Sequence, residues 1–233
     1  MTELIVALDT HLPEQAKACV DSMGDRVGFY KVGMELFTGA GPTMLEWLKE
    51  RGKKVFLDLK FHDIPNTAGR AVAAAARWGV DLCTIHAAGG IEMLRACKAM
   101  CGGTKLLAVT VLTSFDQEQL RAIGINRPVA EQVAILAELA LKIGIHGVVC
   151  APTDLPLLNA MPRDFLRVTP GIRPGSADVG DQKRIMTPAQ AAQGGASHIV
   201  VGRPITAATE PAAAADKILK ELEEANAKHR ADF

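Results

Sequence analysis

The stretch KKVFLDLKFHDIPNTAGRAVAAAARWGVDLCTIHA, residues 53–87, contains one complete strand–helix–strand pattern. Its first segment, 53–60, is an apolar run that ends in charged residues, and 82–87 is a second short apolar run. The alanine-rich segment 66–78 between them is typical of a helix. Near-continuous apolar runs are characteristic of parallel strands that are buried on both faces. The stretch therefore predicts a βαβ unit.

The same alternation recurs along all 233 residues of the chain. Strands are predicted at 4–9, 28–34, 53–60, 82–87, 105–112, 147–151, 166–172 and 198–203. Helices are predicted at 13–23, 42–51, 66–78, 90–101, 129–143, 187–193 and 211–228. Eight such units favour a (β/α)8 TIM barrel, and because no Pro/Ser-rich linker divides the chain, 1–233 is predicted to be one domain. A doubly wound open sheet is the alternative, but no GxGxxG pattern follows the first strand.

Composition excludes several classes of protein. Lys+Arg and Asp+Glu are both 26, so the formal net charge is zero and no nucleic-acid partner is expected. No signal peptide or apolar run long enough to span a bilayer is visible, so no membrane partner is expected either. The five cysteines are scattered and lack zinc-site spacing, which predicts reduced structural thiols in a cytoplasmic protein.

Polar residues stand at the ends of the predicted strands, although the strands themselves are of the buried type. These residues are Asp9, Lys31, Asp58, Lys60, His86, Thr113 and Arg203. Strand ends are often polar simply because they meet loops. Repeated Asp and Lys at the ends of apolar strands is better explained by an active site, which TIM barrels place at the carboxyl ends of their strands.

The long loop PGIRPGSADVGDQKR, residues 170–184, predicts a functional segment, because structureless loops of this length are rare in compact domains. It carries Arg173 and Gln182. The last strand ends in VVGRPIT, which places Gly202 and Arg203 in the final connection. Loops after strands 7 and 8 form the usual phosphate site of this fold, and arginine binds phosphate through charge-assisted hydrogen bonds. A phosphorylated small molecule is the predicted ligand.

The segment DLKFHD, residues 58–63, admits three interpretations. Its charges could form a structural ion-pair network. Lys60 could form a Schiff base, but that chemistry needs a neutral amine, and the neighbouring Asp58 and Asp63 favour the ammonium. Lys60 could instead act as an ammonium that donates a proton to a carbanion and stabilises its negative charge. The electrostatics favour the third interpretation over the second.

Five short motifs together resemble one enzyme family. They are ALD at 7–9, KVG at 31–33, DLKFHDIPNT at 58–67, PGIRP at 170–174 and VVGRPIT at 200–206. In order and spacing they resemble the orotidine 5′-phosphate decarboxylases, in their bacterial single-domain form, and the likeness covers essentially the whole chain. The resemblance implies a homodimeric (β/α)8 barrel without metal or organic cofactor, which makes uridine 5′-phosphate and carbon dioxide in pyrimidine biosynthesis.

The resemblance also implies catalytic roles. Lys60 would protonate C6 of the pyrimidine after the carboxylate is lost, and Asp58 would lie beside that carboxylate. Lys31 would join the same charged array. Asp63 and Thr67 would reach across the dimer interface into the partner's site.

The remaining implied roles concern substrate binding. Asp9 and Lys31 would hold the ribose hydroxyls, and Thr113, with Ser114 as a second candidate, would contact the pyrimidine edge. The phosphate would be held, or the loop closed over it, by Arg173, Gln182, Gly202 and Arg203.

Two alternatives remain at this stage. A magnesium-dependent sugar-phosphate decarboxylase, resembling the 3-keto-L-gulonate 6-phosphate enzyme, also carries a DxKxxD strand. It needs a glutamate metal ligand where this chain has Lys31, and a lysine there would repel a divalent cation. A catalytically inactive phosphate-binding barrel would not need Lys60 with its two aspartates.

Overall fold

The structure, a computed structural model, describes residues 1–175 and 184–231. Eight parallel strands close into a barrel in the order in which they occur along the chain. They are β1 (Glu3–Ala7), β2 (Phe29–Gly33), β3 (Lys54–Phe61), β4 (Leu82–His86), β5 (Lys105–Val109), β6 (Gly147–Val149), β7 (Leu166–Thr169) and β8 (His198–Val201). The prediction of a (β/α)8 barrel is confirmed.

Helices surround the barrel and connect its strands. They are α1 (Pro13–Met23), α2 (Met34–Ala40), α3 (Thr43–Glu50), α4 (Pro65–Arg77), α5 (Gly90–Met100), α6 (Gln117–Ala122), α7 (Val129–Ile143), α8 (Pro188–Gln193), α9 (Arg203–Thr206) and α10 (Pro211–Ala231). Short 3-10 helices occupy Ala87–Gly89 and Pro152–Leu158. No helix in the two described ranges combines the length and apolarity that crossing a membrane requires.

Most strands end earlier than the apolar pattern predicts. The strand predicted at 105–112 ends at Val109, and Val111 is buried beyond it because it lines the cavity at the carboxyl end of the barrel. Asp9 and Thr113 therefore lie in the connections after β1 and β5. The short helices α2, α6 and α9, four to seven residues long, were not predicted.

The barrel interior is packed at its amino end and open at the other. Side chains that fill the interior are Ile5, Ala7, Phe29, Phe56, Leu82, Leu107, Val168 and Val200. The layer between strands and helices forms the larger part of the core. His146 and His198 lie at the packed end. There His146 accepts a hydrogen bond from the Leu106 backbone N–H, and His198 lies 3.6 Å from Glu3.

The alanine-rich helix α4 packs closely against α5. A Cβ added to Gly69 would lie 3.2 Å from the backbone oxygen of Ala96, so the two helices touch through a position that only glycine fits without a shift. Gly69 of α4 therefore serves packing within the chain.

Candidate active site

A cavity of about 570 Å³ opens at the carboxyl ends of the strands. It brings together eight of the residues that the sequence selected: Asp9, Lys31, Asp58, Lys60, Thr113, Arg173, Gly202 and Arg203. They come from six different strand–helix connections or strand ends. This is the face on which TIM barrels build their active sites.

Four charged side chains form a continuous array of alternating sign along one wall of the cavity. Lys31 Nζ lies 2.7 Å from Asp9 Oδ1 and 3.8 Å from Asp58 Oδ2. Lys60 Nζ donates to Asp58 Oδ1 at 3.0 Å. Each ammonium has a carboxylate partner, which the burial of Lys31 (9% exposed) requires. The array presents the Lys60 ammonium to the cavity with Asp58 beside it.

Strand β3 is irregular where it carries these charges. Leu57 pairs with Cys83, but Phe61 pairs with Ile85, so β3 contains extra residues relative to β4. Lys60 has φ +51°, in the left-handed region that non-glycine residues seldom adopt. Such strain costs on the order of 1–3 kcal/mol and tends to occur at functional sites. Asp58 and Lys60 do share the cavity as predicted, but through a bulge rather than a regular strand.

Asp58 and Lys60 share a third partner, Thr84 of β4. Its hydroxyl donates to Asp58 Oδ1 at 3.0 Å and accepts from the Lys60 backbone N–H at 2.8 Å. Thr84 was not among the site residues predicted from the sequence. Two features of the sequence could have indicated Thr84. It lies two residues before His86, and it is the one hydroxyl residue of the apolar strand LCTIH.

Gly33 makes room for the first ion pair of the array. A Cβ at this position would lie 2.8 Å from Lys31 Nζ and 3.4 Å from Asp9 Oδ1. Because the lysine end is flexible, a larger residue would displace the ammonium rather than the backbone. Within the KVG motif, Gly33 therefore leaves the space that the Lys31 ammonium occupies.

The connections after β7 and β8 carry the predicted phosphate residues that the structure describes. Arg173 is 9% exposed, and its Nη1 donates to the Ile172 carbonyl oxygen at 2.9 Å, so it is held in the wall of the cavity. Arg203 is exposed at the start of α9. A Cβ on Gly202 would lie 3.3 Å from Asp9 Oδ2, which shows how closely the last connection approaches the charged array. Gln182 lies outside the described residues.

The described charged array is poorly suited to a divalent cation. No group of three or more His, Cys, Asp or Glu side chains that could hold a metal occurs in residues 1–175 and 184–231. Lys31 lies between Asp9 and Asp58, where its charge opposes a divalent cation. Glu35, near the same wall, instead lies 3.5 Å from His11.

Comparison with known proteins assigns the family. Residues 2–218 match the model of the orotidine 5′-phosphate decarboxylase / HUMPS family. The chain belongs to this family. Its relatives include an orotidine 5′-phosphate decarboxylase of Geobacter sulfurreducens, 48% identical over 94% of this chain and 95% of the relative. One from Moorella thermoacetica is 48% identical over 95% and 92%. The crystal structure of the Lactobacillus acidophilus enzyme superposes with a TM-score of 0.85 at 43% identity, covering 95% of this chain and 99% of that one.

Two residues of the family motif do not line the cavity of their own chain. Asp63 precedes α4 and Thr67 lies in its first turn, and both are exposed. Ile64 between them is 68% exposed.

Two histidines stack near the base of this exposed segment. The rings of His62 and His86 are 5.0 Å apart and nearly parallel. Burial lowers the pKa of His86, and the nearby His62 and Lys60 lower it further. His86 is therefore neutral at neutral pH, and its Nδ1 accepts from the Ala88 backbone N–H at 3.4 Å. The stacked ring and the backbone hydrogen bond are contacts of a packed side chain.

A buried ion pair anchors the chain just after residue 183. Arg184 Nη1 lies 2.7 and 2.9 Å from the two carboxylate oxygens of Asp154, and its Nη2 donates to the Leu112 carbonyl oxygen at 3.1 Å. Leu112 and Thr113 line the cavity. Arg184, which the sequence analysis did not select, therefore connects the end of the long loop to the connection after β5.

Replacing Asp154 with Asn is expected to lower the free energy of unfolding by about 3 kcal/mol, because it leaves the Arg184 guanidinium buried without its counter-charge. Chemical denaturation measures the loss. The control is Asp216→Asn, which removes a solvent-exposed pair with Arg26 and should cost less than about 1 kcal/mol. Equal losses for both variants would show that burial does not strengthen the Asp154 interaction.

Proposed function

We propose that this chain converts orotidine 5′-phosphate to uridine 5′-phosphate and carbon dioxide in pyrimidine biosynthesis, as a single-domain enzyme without metal or organic cofactor. The observation that carries the proposal is the array Asp9–Lys31–Asp58–Lys60 in the wall of a cavity that also contains Arg173 and Arg203. A phosphate-binding barrel without chemistry would have no use for this array. Membership of the family supports the same substrate.

The proposed reaction breaks the bond between C6 and the carboxylate, and its electron pair remains on C6. No adjacent carbonyl delocalises this pair, because it lies in the plane of the ring. The Lys60 ammonium stabilises the developing charge and then transfers a proton from Nζ to C6, which leaves a neutral amine that solvent reprotonates. Asp58, 3.0 Å from Lys60, keeps the ammonium in place before the reaction.

Asp58 has a second proposed effect on the substrate. Placed beside the substrate carboxylate, it would repel that negative charge, and the repulsion disappears as carbon dioxide leaves. Thr113 would contact the pyrimidine edge, and Asp9 with Lys31 would hold the ribose hydroxyls. Arg173, Gln182, Gly202 and Arg203 would bind the phosphate, whose remote binding energy would stabilise the transition state.

We further propose a homodimer in which Asp63 and Thr67 enter the partner's cavity. Both are exposed and outside the cavity of their own chain, and the exposed Ile64 lies between them. A cytoplasmic location is proposed from the cysteines: all five are free, and four are buried, as expected for structural thiols in a reducing compartment.

Shared sites predict complementation between two impaired variants. In a mixed dimer of Lys60→Ala and Asp63→Asn, one site carries both changes and the other carries neither. Co-expression of differently tagged chains in equal amounts should therefore give about a quarter of wild-type activity, because half of the dimers are mixed. Mixing Lys60→Ala with Asp58→Asn is the matched control, since each change impairs its own chain's site. Recovery no greater than in this control would contradict the shared site.

The function itself is tested by following pyrimidine absorbance after orotidine 5′-phosphate is added to purified protein, with and without EDTA. We expect rapid conversion that EDTA does not affect. The second candidate, a magnesium-dependent sugar-phosphate decarboxylase, predicts the opposite: no conversion of the nucleotide, and carbon dioxide from sugar phosphates only when magnesium is present. The Lys31 ammonium between the two aspartates argues against this candidate.

A further inference from the structure

We propose that Thr84 is a positioning residue that sets the geometry of Lys60 and Asp58 for the proposed decarboxylation, on which this inference rests. Thr84 is 0% exposed and is not among the residues that line the cavity, so it does not touch the substrate. It acts instead through the two charged residues that do line it.

The hydrogen bonds of Thr84 have a defined direction. The Lys60 backbone N–H can only donate, and an ionised Asp58 can only accept. The hydroxyl therefore accepts from the Lys60 N–H and directs its own proton to Asp58 Oδ1. One buried atom thus fixes both the backbone of the lysine and the side chain of its partner. An aliphatic side chain can make neither contact.

The position of Thr84 coincides with the irregular part of β3. The β3–β4 register shifts between Leu57 and Phe61, and Lys60 adopts φ +51° within this segment. A strained backbone persists only where surrounding contacts hold it. Thr84 lies on β4 directly opposite the shift, between Cys83 and Ile85, the two residues that pair on either side of it. Its hydroxyl is placed to hold the bulge from which Lys60 enters the cavity.

Thr84 also shares an acceptor with the Lys60 ammonium. Both donate to Asp58 Oδ1 at 3.0 Å, and Oδ2 remains directed towards Lys31 at 3.8 Å. During the proposed reaction Lys60 loses its proton, and its ion pair with Asp58 weakens. The Thr84 hydroxyl is neutral and does not take part in that transfer, so it continues to hold the carboxylate while Lys60 is reprotonated.

The test compares Thr84→Val, which replaces the hydroxyl with a methyl group of similar size, with Thr84→Ser, which retains it. We expect Thr84→Val to lower kcat by about 10- to 100-fold with KM changed less than about 3-fold, because small displacements of reacting groups impair catalysis strongly. Thr84→Ser should restore kcat to within about 3-fold of wild type. Crystal structures should show Lys60 Nζ beyond hydrogen-bonding distance of Asp58 in the valine variant only.

Thr110→Val is the matched control. Thr110 is also a buried barrel threonine, 2% exposed, but its hydroxyl donates to the Val149 carbonyl oxygen at 3.0 Å and touches none of the four charges. If Thr84→Val does not fold, the pair Thr84→Ser and Thr84→Ala, which differ only in the hydroxyl, gives the same comparison. Two results would overturn the inference. One is an equal kcat in the variants with and without the hydroxyl at position 84. The other is a loss of kcat in the hydroxyl-free variant that is no larger than in Thr110→Val. An inactive wild type would instead refute the proposed function, and the crystal structures would still decide the positioning.

Discussion

Replacing Lys60 with alanine is expected to reduce kcat/KM for orotidine 5′-phosphate by about 10⁴-fold or more. A positioned proton donor contributes roughly 10²- to 10⁴-fold, and a preorganised charge at the reacting centre roughly 10²- to 10³-fold. In the proposed mechanism Lys60 supplies both effects. The fold should tolerate the change, because Asp58 keeps Lys31 and Thr84 as partners.

The matched control is Lys54→Ala, which removes the same type of side chain from the same strand. Lys54 begins β3 at the opposite end of the barrel, where it pairs with Glu3 at 2.8 Å. Its replacement should leave kcat/KM unchanged. Steady-state kinetics of both variants, with circular dichroism to verify folding, make the comparison. A Lys60→Ala enzyme that retains more than about a tenth of wild-type activity would exclude Lys60 as the proton donor.

Replacing Arg203 with alanine should have the second-largest effect, a fall in kcat/KM of about 10²- to 10³-fold. Removing one partner of a close charge pair at a binding site typically costs 2–5 kcal/mol, and about 1.4 kcal/mol corresponds to a factor of ten. Arg203 begins α9 beside Gly202, in the connection after β8, whereas Lys60 lies on β3. The loss of kcat/KM in Arg203→Ala should therefore come from weaker binding of the phosphate and not from a change at C6.

A truncated substrate separates these two contributions. Orotidine, which lacks the phosphate, should react equally slowly with wild type and Arg203→Ala, because neither can use the missing group. Lys60→Ala should lose activity towards both compounds. Arg26→Ala, which removes an exposed arginine paired with Asp216, is the control for a general change in charge. An Arg203→Ala enzyme impaired equally towards orotidine and its phosphate would place Arg203 outside the phosphate site.

The barrel and most of its cavity could be predicted because they depend on local pattern. Buried parallel strands give apolar runs, and the polar residue after each run marks the open end of the barrel, as Asp9 and Arg203 illustrate. Strand lengths could not be predicted in this way. Val111 is as apolar as a strand residue, yet it follows the end of β5, because the wall of the cavity also buries apolar side chains.

The contacts that the sequence could not reveal depend on register or on distant pairs. The bulge at Lys60 is a shift in the pairing of β3 with β4. The alternation of residues within β3 alone therefore does not reveal it. The same pairing of β3 with β4 brings the Thr84 hydroxyl to Asp58 and to the Lys60 backbone. Arg184 and Asp154 are 30 residues apart in the chain and meet only when the barrel closes. In the sequence alone, Arg184 resembles an ordinary loop charge.

The most direct test of the proposed mechanism is a crystal structure of the wild-type protein with uridine 5′-phosphate, the proposed product. We expect C6 of the pyrimidine to lie against Lys60 Nζ, and the phosphate to lie against Gly202 and Arg203. If the phosphate instead lay against Lys60, with the base directed out of the barrel, the charged array could not act on C6. That result would contradict the proposed mechanism.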